Sequence, residues 1–320
     1  MNQKNIYSLK KMKQSINQKI IDKANTLGFE KVGFSKADFY EQDEKALNVW
    51  IDKGYNASMK WIENRKEERS NIFKYFPDAK TVISFGCNYY TGEGSGHISE
   101  EYNFSNYAWG DDYHDVIKKN LYELVEFMRQ ILGDFNYRVC VDTSPLMEKK
   151  WAMRSGLGWI GKNTNLITRD FGSWIFLSEI IIDKKLEVDD FFDMDLCGTC
   201  TACIDDCPTD AIIEPYTLDS SKCISYLTIE HRGDIPEDNK KSLNNWIYGC
   251  DICQEVCPWN IKFSKISNKK SFQIRDGIKD KKKIKDWQID KEEFNQIFKK
   301  SSVKRTKYEG LMRNIDLVEN

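Results

Sequence analysis

Apolar side chains near the N-terminus recur at helical spacing. Ile16, Ile20, Ala24 and Leu27 share one face, which predicts a helix over 9–27 that stops at Gly28, a residue suited to a helix C-cap. The period then changes. KVGFS (31–35) and KTVISFGCNYY (80–90) read as strands, the second buried and β-branched, and TGEGSGH (91–97) is a Gly-rich loop. Helical spacing returns over 111–133 as a long amphipathic helix, followed by YRVCVD (137–142), a strand ending on an acid. PLMEKKWAMRSG (145–156) predicts a helix with Pro at its start. NLITR (165–169) and SWIFLSEIII (173–182) flank Asp170-Phe171-Gly172 as the arms of a hairpin. This alternation predicts an α/β or α+β domain over 1–190, then a cysteine-rich module over 191–260 and a Lys-rich, helical region over 261–320. No internal repeat is visible beyond the paired cysteine motifs.

The chain has 320 residues, 40% hydrophobic and 31% charged, and reads as a soluble globular protein. No apolar run approaches the ~18 residues of a membrane helix. The basic N-terminus MNQKNIYSLKKMKQSINQ lacks an apolar h-region, a cleavage site and a twin-arginine signal, so a cytoplasmic protein is expected. In that reducing compartment, clustered cysteines indicate metal or redox chemistry more than disulfides. Net charge is −2, but from Ile261 onward 17 Lys+Arg face 9 Asp+Glu, a surplus of 8 that leaves −10 for the rest. The tail therefore has either a polyanionic partner or a solvated helical surface.

Eight of the ten cysteines lie between Cys197 and Cys257. In CGTCTACIDDCP, Cys197, Cys200 and Cys203 can wrap three corners of a cubane, while Cys207 points to a second cluster, as in two-cluster ferredoxins. CDICQEVCP supplies Cys250, Cys253 and Cys257 and is one thiolate short, which Cys223 completes. The assignment is Cys197, Cys200, Cys203 and Cys257 for one [4Fe–4S] cluster, and Cys207, Cys223, Cys250 and Cys253 for the other. Structural zinc is the alternative, but zinc sites use wider-spaced CxxC pairs or histidine, and the chain has three histidines. Cys87 and Cys140 sit on apolar strands as core residues.

Other motifs mislead. Gly156, Gly158, Gly161 and Lys162 spell fragments of two nucleotide-binding fingerprints, but a helix precedes and a strand follows, the reverse of what either needs. Asp170-Phe171-Gly172 imitates a kinase motif without its catalytic loop. Asp112-Tyr113-His114 begins like a cobalamin-ligating DxHxxG, but Ile117 replaces the Gly, which argues against His114 on cobalt.

Five blocks together resemble the epoxyqueuosine reductases, iron–sulfur and cobalamin enzymes of tRNA modification. They are YAWGDDYH (107–114), VDTSPLMEKKWAMRSGLGWIGKNTNLI (141–167), the CxxCxxCxxxCPTDAI run (197–212), CISYLTIEHRG (223–233) and YGCDICQEVCPWN (248–260). The resemblance implies a nitroreductase-like cobalamin-binding α/β domain, as in cobalamin-processing and reductive dehalogenase relatives, then a ferredoxin-like module and a short basic C-terminal region. It also implies a reaction: epoxyqueuosine at the wobble position of tRNA becomes queuosine, with electrons from an unidentified low-potential donor passing through two [4Fe–4S] clusters to cobalamin. A monomer is expected. Asp142 matches the family's proton donor, the alternative being a helix N-cap; such an acid needs a raised pKa. Asp112 matches a second acid. Arg65, or Arg69 in its place, with Ser105, Asp142, Ser178 and Ser225, are the implied cobalamin contacts. The family leads one to expect Arg where Asn106 stands. For tRNA, His231 and Arg232 could touch the anticodon arm, and Lys279, Lys281, Lys282, Lys283 and Lys285 could hold phosphates. A small-substrate cobalamin dehalogenase and a ferredoxin subunit feeding a partner are the competing readings.

Overall fold

The computed structural model describes residues 14–319. Residues 9–13 of the first predicted helix lie outside that range; its remainder is the helix Ile16–Thr26, N-capped by the Ser15 hydroxyl. The central sheet has four antiparallel strands in the order Lys31–Lys36, Thr81–Asn88, Ile175–Ile182 and Tyr137–Cys140. The apolar run of Ile175–Ile182 follows from its interior place, covered on both faces. Its two-residue period sends Phe176, Ile180 and Ile182 into one layer and Ile181 into the other. In the first layer lie Ile20 and Ala24, together with Ile117, Leu121, Leu124, Val125 and Met128 from the helix Tyr113–Leu132. The second layer packs Ile72, Phe76, Leu146 and Trp151 against Val82 and Ile181. Each such aliphatic side chain contributes about 1.5–3 kcal/mol by leaving water.

Two local expectations need correction. The helix predicted over 145–156 spans Glu148–Arg154, with Pro145 outside it. Residues 142–147 instead form irregular bends, in which Asp142 has φ +56. The predicted hairpin is also different. Leu166–Ile167 pairs with Trp159–Ile160 rather than with Ile175–Ile182. Only a Thr168–Gly172 bridge closes the Asp170-Phe171-Gly172 turn, because the Thr168 hydroxyl accepts from Phe171 N–H and ties the turn to itself. The pairing with Trp159–Ile160 depends on Gly158, where a Cβ would sit 2.0 Å from the Ile167 carbonyl oxygen.

A second core joins distant parts of the chain. Trp246–Tyr248 pairs in parallel with Asn103–Phe104. Around this ladder Tyr102, Phe104, Trp109 and Tyr248 pack with Trp287, Phe294, Phe298, Leu311 and Ile315. The Lys-rich region therefore has an apolar inner face, which includes the helix Lys307–Glu319. Polar bonds fix its position: Asn314 donates to the Thr228 and Ile247 carbonyls, and Asp112 N–H donates to the Lys300 carbonyl at 2.8 Å. Among the described residues, no helix is long and apolar enough to cross a membrane.

Candidate active site

The eight thiols gather into two sets. Burial pushes Cys203 up to about 11, helped by Cys197, Cys257 and Cys200; burial also raises Cys257, with Cys197 and Cys200 adding to it. Burial raises Cys250 and Cys253, each also repelled by Cys223, and Cys207 raises both Cys223 and Cys253. Cys203 and Cys257 thus neighbour Cys197 and Cys200, Cys253 neighbours Cys207 and Cys223, and a contribution of Cys203 to Cys253 marks where the two sets adjoin. All eight thiols are free, and four per set match the ligand number of a [4Fe–4S] cubane, whose positive charge would draw off their protons. The two remote ligands have matching local structure. Cys223 and Cys257 are the N-cap residues of the helices Ile224–Ile229 and Pro258–Phe263, so helix N–H groups face each sulfur. Pro258 follows naturally at N1, where a missing N–H costs nothing. The rejected nucleotide loop braces this module: Lys162 Nζ donates to the Gly198 and Cys200 carbonyls at 2.6 and 2.9 Å, and Asn163 donates to the Cys253 carbonyl.

A cavity of about 950 Å³ opens beside the second thiol set. Cys207, Cys223, Cys250 and Cys253 all line it, and no member of the first set does. Asp112, Tyr113, His114 and Asp142 line the same cavity, as do Lys304 and Arg305. The volume lies at the top of the ~300–1,000 Å³ range of small-molecule sites. Met59, Trp61, Leu218, Ile224 and Tyr226 give it apolar area, which suits a large organic cofactor such as cobalamin. Both ring nitrogens of His114 are taken by carboxylates, so this imidazole is not free for cobalt.

Asp112 is the N-cap of the helix Tyr113–Leu132. Its carboxylate accepts from His114 N–H at 3.0 Å and contacts His114 Nδ1 at 2.7 Å. His114 Nε2 lies 3.2 Å from Asp142 Oδ2, which also accepts from the Tyr113 hydroxyl at 2.8 Å. The Tyr113 ring, stacked between His114 and Phe176, fixes this geometry. Desolvation by the surrounding chain would raise Asp142, but its side chain is open to the cavity, 61% exposed, and the bonds from His114 and Tyr113 hold the carboxyl below its ordinary range. Asp112 is likewise lowered, its bonds with His114 prevailing over burial. Burial would lower His114, yet its two carboxylate partners push it up to about 9. The raised pKa expected of Asp142 depends on burial against a bound corrin; among this chain's own residues, the proton of the array at neutral pH resides on His114. Helix capping does not explain Asp142 either, since the following helix begins at Glu148 with Met147 as its N-cap.

The other predicted residues divide. Ser105 and Ser225 line the cavity. Ser105 donates to Asp251, as do the N–H and the amide of Asn106, so Asn106 meets a carboxylate where the family pattern has a cation. Burial pushes Asp251 up to about 7. Ser178 is fully buried within the sheet and Arg65 pairs with Glu68 on the surface; neither lines the cavity. Arg69 lies nearer the site, donating to the Leu146 carbonyl and feeling the charges of Glu148 and Asp142. His231 and Arg232 lie beyond the cavity lining, and Arg232 donates to the Arg305 carbonyl. Lys281, Lys282 and Lys283 sit away from the cavity, where Lys281 pairs with Glu293 and Lys282 donates to the Ile98 carbonyl. Sequence reasoning missed His114, Tyr113, Glu148, Lys304 and Arg305; HRG-like motif blocks and charge counts carry no signal for contacts between distant segments.

Fold and site together define a redox enzyme: thiols suited to two clusters adjoin a cavity whose lining also carries the proton-holding His114. Two protein-family models match, "4Fe-4S double cluster binding domain" over residues 196–260 and "Epoxyqueuosine reductase QueG, DUF1730" over residues 69–143. The epoxyqueuosine reductase of Cyclobacterium marinum is 43% identical over 93% of this chain and 94% of its own length. That of Leadbetterella byssophila is 46% identical over 92% and 96%. The chain belongs to the epoxyqueuosine reductase family. Solved epoxyqueuosine reductases superpose over 95% of this chain and 80% of theirs. One bears an epoxyqueuosine-modified tRNA stem loop (TM-score 0.85, 29% identity), and one from Bacillus subtilis has its catalytic Asp loop swung out of the active site (TM-score 0.83, 27% identity).

Proposed function

We propose that this chain reduces epoxyqueuosine to queuosine at the wobble position of tRNA, in the cavity between the second thiol set and Asp142. The observation that carries the reading is that shared cavity, lined both by the four thiols of the second set and by the Asp112–His114–Asp142 array. The conversion turns an epoxide into an alkene, takes up two electrons and two protons, and releases the oxygen as water. Bound cobalamin supplies a low-potential two-electron centre, fed singly from the clusters.

The residues of this chain supply position and protons. Ser105, Ser225, Met59 and Trp61 would flank the cofactor. Asp142 acts as the immediate donor to the epoxide oxygen. It receives its proton at Oδ2 from His114 Nε2, while Asp112 retains His114 Nδ1 and keeps the imidazole aimed. A proton stored on His114, with its pKa near 9, is available throughout the neutral range. The Asp loop of the Bacillus subtilis relative, swung out in one structure, supports a mobile donor. A wobble nucleotide enters such a cavity only after leaving its stack. Lys304 and Arg305 then suit the phosphates beside it, and the relative solved with a modified stem loop supports this substrate. The enzyme acts as a cytoplasmic monomer served by a separate low-potential electron donor.

Anaerobically reconstituted protein, supplied with cobalamin and a strong reductant, is expected to convert an epoxyqueuosine-containing stem loop to the queuosine form. It should carry about eight irons, four per cubane. Turnover undiminished without any corrinoid would overturn the proposal.

A further inference from the structure

Asp142 is held in an unusual backbone conformation, and one side chain accounts for it. The loop over 141–147 has few main-chain bonds: Thr143 N–H reaches the Val141 carbonyl and Leu146 N–H the Ser144 carbonyl. Asp142 N–H is not among them. It donates instead to Glu148 Oε1 at 2.6 Å, across six residues. With φ at +56, Asp142 lies in the left-handed region that non-glycine residues seldom occupy without outside support. Rotating it back would carry the carboxyl away from Tyr113 and His114, so the bond from Glu148 and the aim of Asp142 are linked.

Glu148 is itself held in an unusual state. Glu179, wholly buried on the strand Ile175–Ile182, has no hydrogen-bond partner for either carboxyl oxygen among the described residues, and it feels the charge of Glu148. Negative charge on one carboxyl therefore opposes ionisation of the other. Arg69, His114, Tyr113, Lys149, Cys140 and Asp142 complete the charged and titratable surroundings of the pair. Burial raises Glu179 well above its ordinary range, with Glu148 adding to the shift, and pushes Glu148 up to about 8, with Asp142 adding to it. A largely neutral Glu148 accepts the Asp142 N–H without setting a second negative charge beside the Asp142 carboxylate.

We propose that Glu148, backed by Glu179, is a positioning residue for epoxide reduction: its carboxyl latches the Asp142 main chain so that the Asp142 side chain faces the cavity. The proposal rests on the proton-donor reading of Asp142, and its test separates the two. Hydrogen exchange of the peptide over 141–147, measured by mass spectrometry on the reconstituted holoenzyme, reads the latch without reference to turnover. Glu148→Ala is expected to speed exchange of the Asp142 amide, and Glu148→Gln, whose amide oxygen still accepts, to stay near wild type. In turnover, Glu148→Ala should lower kcat about ten-fold or more with KM for the stem loop unchanged, and Glu148→Gln should restore most of it. Unchanged exchange in Glu148→Ala overturns the latch, whatever Asp142 does. Faster exchange with unchanged kcat would overturn the link to catalysis, and equal damage in both variants would overturn the role of the acceptor oxygen. If Glu148→Ala fails to bind its clusters, Glu148→Gln against Glu148→Leu gives the same contrast.

Discussion

The two walls of the cavity are built by opposite means. The thiol wall comes from short loops, where Cys207, Cys223, Cys250 and Cys253 lie within 47 residues and helix starts point N–H groups at two of the eight sulfurs. The proton wall is assembled from Asp112, His114 and Asp142, with Glu148 outside the lining accepting the Asp142 N–H, so that the start of one helix, an irregular loop and the start of another contribute to it. Electron ligands can be local because a cubane demands only close spacing. Proton chemistry demands partners on different elements, since it depends on how each shifts the next.

Each wall can be broken separately, and the largest effect belongs to the thiols. Cys253→Ser removes a second-set ligand and should abolish turnover, with iron falling from about eight toward about four; full iron content would undo the grouping. His114→Gln removes the proton store and should cost about 10- to 100-fold, within or below the ~10²–10⁴ of general acid–base catalysis, with iron unchanged. The wild-type rate should fall as pH rises through about 9, and this limb should vanish in the variant. The same sign governs stability: the charged bonds of His114 stabilise fully below its ordinary pKa of ~6.5 and are lost as pH rises through about 9.

Weaker effects test the rim against the outer tail. Lys304→Ala should reduce stem-loop affinity and lower the salt dependence of binding by about one charge. Replacing Lys282 and Lys283 together should change affinity little, since neither lines the cavity and Lys282 donates to the Ile98 carbonyl. A larger effect from the lysine run would return tRNA binding to that face.

Much of this architecture was legible in the sequence. Cysteine spacing supported a grouping because the two-cluster ferredoxin pattern sends the last Cys of each run to the opposite set. The periods of Ile16–Thr26, Thr81–Asn88 and Tyr113–Leu132 marked elements whose burial is set by one face or two. What failed was long-range. Ser178 stood near a matching block but is buried inside the sheet, since adjacency in sequence does not fix which side of a sheet a residue faces, and Arg65 pairs with Glu68 at a surface helix start. The motif reading weighed His114 only against cobalt; its importance emerges when two carboxylates close on it. Counting charge over 261–320 could not tell Lys281 on the outer core from Arg305 in the cavity lining.

The most direct test of the central claim is single-turnover conversion of an epoxyqueuosine stem loop by Asp142→Asn holoenzyme, with iron content, cobalamin content and stem-loop affinity measured on the same sample. With all three retained, the rate should fall by about 10²–10⁴, the usual worth of a positioned general acid. A rate within about two-fold of wild type would contradict the account and move proton delivery to another group.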